Sequence, residues 1–219
     1  GSTDNTIRLW NTAAGTETAR IVGHGDSVKA LCVLPDGRLA SGSEDRTVRL
    51  WDLVTGAETM RFKGHDGPVT AVCVLPDGRL ASSSEDKTIR LWNTAAGAQT
   101  ARLQGHDHWV TSLCLLPDGR LASGSDDETV RLWDISTGTE IACLEGHDGW
   151  VMSLCALPGG RLASGSWNNT VRVWDLATCT EIARLELDAT VLSLAALPDG
   201  RTLVAGDALG RLHWLEPIL

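Results

Sequence analysis

The sequence predicts an all-β protein assembled from copies of one small antiparallel sheet. Tryptophans recur every 41 residues (51 − 10, 92 − 51, 133 − 92, 174 − 133), and short sequence words recur with them. Turn signals follow one another about every 8 to 12 residues, which is typical of antiparallel β-structure. A repeat of this length is one supersecondary unit that cannot bury a core alone, so the copies must stack. The periodic tryptophans are Trp10, Trp51, Trp92, Trp133 and Trp174.

Each copy has the pattern of four short strands. In the copy at residues 24–63, the first apolar run ends at Pro35-Asp36-Gly37, which is a strong turn signal. No segment has a helical apolar period long enough for a helix. The first run is apolar on both faces, and stacking of four-stranded sheets around a central axis would cover both. The four runs are 28–34, 38–43, 47–51 and 57–63.

Composition excludes several classes of protein. The 219 residues are 42% hydrophobic and 21% charged, which argues against disorder, and the net charge of −9 argues against nucleic acid as a partner. An acidic balance suits a basic protein or peptide better. No apolar run approaches about 18 residues, so we expect no membrane span, and we expect reduced thiols in a cytoplasmic setting. Four cysteines follow the period inside apolar runs and are expected to be small buried side chains, namely Cys32, Cys73, Cys114 and Cys155.

Three sequence words repeat in step with the tryptophans. They are Gly-His at 23–24, 64–65, 105–106 and 146–147, Pro-Asp-Gly-Arg at 35–38, 76–79 and 117–120, and LASGSEDRTVRLWD at 39–52. In these words the chain resembles the WD-repeat (WD40) family, in particular its highly repetitive bacterial members. The resemblance implies a β-propeller of four-stranded antiparallel blades, whose strands a to d run from the axis outward.

Residues 1–219 are expected to form a single propeller array of 21 strands, or about five blade equivalents. Three arrangements stay open: the termini share one blade, the array is truncated, or separate chains complete a ring as an oligomer. The expected segments are a partial blade at 1–22, full blades at 24–63, 65–104, 106–145 and 147–186, and a divergent terminal blade at 188–219.

The resemblance also implies a structural tetrad in each full blade. A Trp N–H donates to a Ser hydroxyl, Ser to His and His to Asp, so that each buried polar group has a partner. Asn168 replaces the Asp of the fourth tetrad, which keeps the geometry and removes the charge, so we expect a weaker fourth blade. In the last copy, Trp214 is expected to be the surviving member. The tetrads are His24, Ser41, Asp45, Trp51; His65, Ser82, Asp86, Trp92; His106, Ser123, Asp127, Trp133; and His147, Ser164, Asn168, Trp174.

We expect no catalytic residue, no cofactor and no metal site. Ser, His and Asp also form hydrolase triads, but here the set occurs repeatedly and the Ser does not lie in a G-x-S-x-G sequence. His106 and His108 have the spacing of two metal ligands, but His106 already belongs to a tetrad.

Variable positions predict a different surface. By resemblance, partners bind the wide top face, at the residue before each tetrad Asp and around the start of strand a. The three tryptophans outside the 41-residue period fall there beside carboxylates, which suits a Lys- or Arg-bearing peptide. A simple cap on the loop between blades is the competing interpretation. The predicted surface comprises Trp109, Trp150, Trp167, Glu44, Glu85, Asp126 and Lys29.

We therefore expect a non-enzymatic scaffold that binds a protein or peptide. Similar repeats often form the sensor region of larger bacterial signalling proteins, and that role rests on the resemblance alone. A purely structural, engineered or truncated propeller without a specific ligand is the alternative.

Overall fold

A computed structural model describes residues 1–215, and these residues contain β-strands and no helix, so none of them forms a helix that could cross a membrane. They divide into two compact units, Gly1–Gln104 and a second from Gly105 onward. The strands of the first unit are β1 (Thr6–Asn11), β2 (Thr16–Val22), β3 (Val28–Val33), β4 (Leu39–Ser43), β5 (Thr47–Trp51), β6 (Glu58–Lys63), β7 (Val69–Val74), β8 (Leu80–Ser84), β9 (Thr88–Asn93) and β10 (Ala98–Gln104). Those of the second are β11 (Val110–Leu115), β12 (Leu121–Ser125), β13 (Val130–Asp134), β14 (Thr139–Leu144), β15 (Val151–Leu157), β16 (Arg161–Ser166), β17 (Thr170–Asp175), β18 (Thr180–Glu186), β19 (Val191–Ala196), β20 (Leu203–Asp207) and β21 (Leu212–Leu215).

Every sheet is an antiparallel meander of strands that are consecutive in sequence. In the first unit, the two-stranded sheet β1–β2 is followed by the four-stranded sheets β3–β6 and β7–β10. In the second unit, the four-stranded sheets β11–β14 and β15–β18 are followed by the three-stranded sheet β19–β21. The predicted all-β class and four-stranded antiparallel repeat of a propeller are therefore confirmed.

The Pro-Asp-Gly-Arg word sets the first hairpin of the sheets that begin at β3, β7 and β11. After β3, the Gly37 N–H donates to the Leu34 carbonyl at 3.0 Å, and Gly37 has a φ of +87°, which a residue without Cβ adopts without strain. The Asp36 carboxylate accepts from the Arg38 N–H at 3.0 Å and from its Nε at 2.8 Å. The word therefore closes a tight turn and starts β4 in a fixed register.

Apolar side chains between successive sheets form the core. In the first unit, Val48 and Phe62 of one sheet pack against Val69 and Trp92 of the next, and the rings of Phe62 and Trp92 have centroids 5.2 Å apart. In the second unit, the corresponding cluster again places the periodic Trp174 against the preceding sheet. Trp51, Trp92 and Trp174 thus each lie on the face that meets the sheet before them.

The last sheet corrects one expectation of the sequence reading. Leu203 pairs with Leu215 in the same way as Leu39 pairs with Trp51, so Leu215 occupies the tryptophan place and Trp214 lies one position earlier. By the same register, Ala205 and Leu209 stand at the Ser and Asp places. Trp214 is therefore not a surviving tetrad member. Of the expected terminal blade at 188–219, residues 216–219 lie outside the described part of the chain.

Candidate functional site

Three complete tetrads have the same geometry. In sheet β3–β6, the Trp51 indole donates to the Ser41 hydroxyl at 2.7 Å, and that hydroxyl lies 2.7 Å from His24 Nε2. His24 Nδ1 lies 2.8 Å from an Asp45 carboxylate oxygen, which can only accept, so Nδ1 carries the proton and Ser41 donates to Nε2. The same contacts, at 2.7–2.8 Å, join His65, Ser82, Asp86 and Trp92, and His106, Ser123, Asp127 and Trp133.

The tetrad carboxylates are held ionised. Burial alone would raise the pKa of Asp86, but hydrogen bonds from His65, Thr88 and the Asp66 backbone outweigh burial and lower the pKa well below its usual range. The pKa values of Asp45 and Asp127 are lowered in the same way. The Ser hydroxyls between indole and imidazole are fully buried. Solvent therefore cannot approach the one group of the tetrad that could act as a nucleophile.

The fourth tetrad is incomplete in its geometry as well as in its charge. Trp174 donates to Ser164 at 2.8 Å and His147 Nε2 lies 2.6 Å from Ser164, as in the other copies. The Asn168 amide, however, donates to Asp148, and His147 Nδ1 faces the Thr170 hydroxyl at 3.3 Å. Asn168 Oδ1 accepts from the Thr170 N–H and hydroxyl at 3.1 and 2.7 Å, as the tetrad aspartates do with their threonines. The expected geometry is thus kept at Thr170 and lost at His147, because the Asn168 amide nitrogen donates to Asp148 instead.

The predicted surface positions form pairs joined through the backbone. In each copy, the residue before the tetrad Asp place donates its N–H to the carbonyl of the residue before strand a, at 2.8–3.0 Å. The sequence reading identified both positions but not the bond between them. We call these the loop pairs, and they are Ser27 with Glu44, Pro68 with Glu85, Trp109 with Asp126, Trp150 with Trp167, and Thr190 with Ala208.

The two loop pairs richest in tryptophan lie in the second unit, at the same end of neighbouring sheets. Trp150 and Trp167 contact each other, with ring centroids 5.2 Å apart, and are 43% and 53% exposed. Trp109, in the preceding sheet, is 43% exposed and contacts the His108 ring. Strands β11 and β15 are adjacent, because the Thr111 hydroxyl donates to the Val151 carbonyl. We call Trp109, Trp150 and Trp167 the tryptophan surface.

Asp126 gives the tryptophan surface a buried carboxylate. Its side chain is only 3% exposed, and the polar contact of that carboxylate within residues 1–215 is His108 Nδ1 at 3.5 Å. Burial raises the pKa of Asp126, and His108 offsets this only in part. Sequence reasoning placed Asp126 on an open rim and did not identify His108 as its neighbour. The available signal in the sequence was His108 itself, because the other full copies have Asp or Gly at this place and the last copy has Ala.

The predicted residues of the first unit are arranged differently. The Lys29 ammonium pairs with the Glu44 carboxylate at 2.8 Å, so these two charges neutralise each other. Lys29 is also the bulged residue at the start of β3, where the register shifts between Val28 and Ala30. Glu85 belongs to a loop pair with Pro68. None of the three tryptophans of the tryptophan surface lies in this unit.

The repeated four-stranded antiparallel sheets, each held by an indole-to-histidine relay, define a repeat protein built from propeller-type blades. The chain matches the WD domain, G-beta repeat family four times, and it belongs to that family. Proteins with these repeats are generally scaffolds for protein interactions and are typically non-enzymatic. A comparison with curated proteins gave no match. The matched segments are residues 15–52, 56–93, 97–134 and 138–175.

Proposed function

We propose that this protein is a non-catalytic scaffold that binds a protein or peptide through the tryptophan surface. The observation that carries the proposal is the contact between Trp150 and Trp167, two large and half-exposed side chains that the repeat does not require. Binding hot spots are enriched in tryptophan because one ring buries a large apolar area at low entropic cost.

The partner is proposed to carry a basic side chain. Indole faces attract ammonium and guanidinium groups, with about 0.5–2 kcal/mol per contact. Asp126 adds a buried carboxylate whose ion-pair neighbour, His108 Nδ1, lies 3.5 Å away, and a bound cation would give that carboxylate a second charged partner. The net charge of −9 favours approach of a basic molecule in general.

The same proposal includes the organisation, the setting and the wider role of the chain. We propose that the chain forms a single array of five blade equivalents with the segments expected from sequence. A cytoplasmic setting and a place in the sensor region of a larger bacterial signalling protein are retained on the resemblance. A purely structural propeller without a ligand is the competing function, and the binding experiment separates the two.

The test measures fluorescence anisotropy of two labelled peptides, one alternating Lys and Ser and one alternating Glu and Ser. We expect saturable binding of the Lys peptide and none of the Glu peptide. Trp150→Ala and Trp167→Ala should each weaken binding about 30-fold, the effect of losing about 2 kcal/mol at a hot spot. Asp126→Asn should weaken it in the same direction.

Ile182→Ala is the matched control. Ile182 is a large, half-exposed side chain on the outer strand of the same sheet as Trp150 and Trp167. This variant should bind the Lys peptide as the parent does. Equal binding of both peptides, or binding that survives Trp150→Ala, would contradict the proposed surface, and absence of any binding would favour the structural alternative.

A further inference from the structure

The last sheet presents an apolar face that every four-stranded sheet buries. By register, Leu212 stands at the place of Val48 and Trp214 at the place of Leu50. Val48 and Leu50 are 1% and 0% exposed, because the next sheet packs on them. Leu212 and Trp214 are 65% and 63% exposed. The positions that join one sheet to the next are therefore open to solvent at β21.

The first sheet presents the opposite half of the same contact. In sheets β3–β6 and β7–β10, the periodic tryptophan is 2% exposed and packs against the sheet before it. Trp10 has the same place in sheet β1–β2 and is 54% exposed. The other face of that sheet is buried, since Ile7 and Ile21 pack against Val28 and Trp51. In the described part of the chain, the Trp10 face of sheet β1–β2 is thus exposed to solvent.

We propose that a second copy of this chain supplies both covers. The Trp10 face of one copy packs on the Leu212 and Trp214 face of another, which makes a head-to-tail contact between unlike surfaces. The contact continues an interface that the chain already uses, in which a periodic tryptophan lies on the inner strands of the preceding sheet, as Trp92 does on Phe62. It removes three large apolar side chains from water.

Because the two faces of the proposed contact differ, each can be removed by its own substitution. Trp10→Glu destroys one face and Trp214→Glu destroys the other, while each variant keeps one intact face. We expect the parent chain to associate with rising concentration in sedimentation velocity. Each variant alone should stay monomeric. An equimolar mixture of the two variants should form heterodimers, because the intact Trp214 face of one meets the intact Trp10 face of the other.

Two further variants keep the result interpretable. Leu212→Glu changes the same face as Trp214→Glu at a smaller side chain and should also abolish self-association. Trp167→Glu is the control, because Trp167 is similarly exposed but belongs to the tryptophan surface, and it should associate like the parent. Circular dichroism of every variant should match that of the parent.

The outcomes that overturn the proposal are specific. A parent chain that remains monomeric over the whole concentration range excludes a second copy as the cover of these faces. Association that survives Trp10→Glu and Trp214→Glu places the interface elsewhere. A mixture of the two variants that remains monomeric excludes the head-to-tail geometry.

Discussion

The third and fourth tetrads differ because an amide nitrogen of Asn168 replaces a carboxylate oxygen of Asp127. Asp127 accepts from His106 at 2.7 Å and from the Asp107 backbone at 3.0 Å, whereas the Asn168 amide turns to Asp148. His147 then remains buried without an anionic partner. Burial, together with the nearby Arg172, lowers the pKa of His147 to about 4. The substitution visible in the sequence therefore changes which neighbour the side chain binds.

Restoring the carboxylate should strengthen the fourth sheet. In Asn168→Asp, the new carboxylate can accept from His147 and from the Asp148 backbone, as Asp127 does in the preceding copy. A hydrogen bond to a charged group contributes about 1.5–3 kcal/mol, so we expect the free energy of unfolding in urea to rise by that amount at pH 7. Asn169→Asp makes the same chemical change one residue away and should leave stability unchanged. An unchanged Asn168→Asp variant would contradict this account of the fourth tetrad.

Acid should weaken the parent protein through His147. The folded state holds this histidine with a pKa of about 4, below its usual 6.5, so below about pH 6.5 the unfolded chain binds more protons. Stability is then full above pH 6.5 and falls as the pH drops toward 4, by up to about 3 kcal/mol. His24, whose pKa is also lowered by burial, contributes in the same direction. The tetrad aspartates, with pKa values lowered in the fold, add their loss only at still lower pH.

Urea unfolding at a series of pH values between 7 and 4 measures this loss. Asn168→Asp should show a shallower decline over the same interval, because an anionic partner raises the pKa of His147 again. Parallel declines in the two proteins would show that His147 is not the group responsible.

At the scale of the strand, the Ala-Ser-Gly-Ser segment sets how closely sheets approach. A Cβ added at Gly124 of β12 would lie 2.6 Å from Ser112 Oγ and 2.6 Å from Val151 Cγ1 of the next sheet. Ser83 holds the same place in β8, where its neighbour on β7 is Ala71 and its hydroxyl bonds Thr70 at 2.8 Å. Whether a side chain fits at this place on the second strand of a sheet therefore depends also on the residue paired with it on the first strand: Ser112 faces Gly124, whereas the smaller Ala71 faces Ser83.

Gly124→Ala should therefore destabilise the protein by about 1–3 kcal/mol, the usual cost of overpacking a close contact. Gly25→Ala is the control, since the nearest atom to an added Cβ there is Asp45 Cβ at 3.8 Å and the site is in a loop. Urea unfolding compares the two. Equal midpoints for both variants would mean that the second unit repacks around the added methyl group.

The strands themselves were largely readable from sequence. Thr47–Trp51 has the expected bounds, and the runs expected at 28–34, 38–43 and 57–63 differ from the strands by one residue at an end. The reason is physical: Pro-Asp-Gly turns and periodic tryptophans leave one register in which apolar residues face the neighbouring sheets. The expectation for the last copy was wrong because Trp214, which follows Trp174 by 40 residues, is not the periodic tryptophan. Leu215 follows Trp174 by 41 residues, and strand pairing gives it the tryptophan place.

At the scale of the whole molecule, two sets of positions behave independently in both units. Framework positions repeat and are buried. Periodicity located them in the sequence, and the resemblance to the WD-repeat family implied their roles. Loop-pair positions vary, and their side-chain contacts did not follow, since the burial of Asp126 and the pairing of Lys29 with Glu44 depend on neighbours that no period encodes. The repeats therefore predict where the buried framework residues lie, whereas the contacts of the varying loop-pair residues are seen only in the three-dimensional structure.

The backbone bond within each loop pair limits which substitutions those loops tolerate. Its first member contributes only a carbonyl, so proline fits there, as Pro68 shows. Its second member must donate an N–H, so that place accepts any side chain except proline, and it holds Glu44, Trp167 and Ala208 in different copies. The second members of the five loop pairs could therefore be randomised to every amino acid except proline while the main chain stays in position.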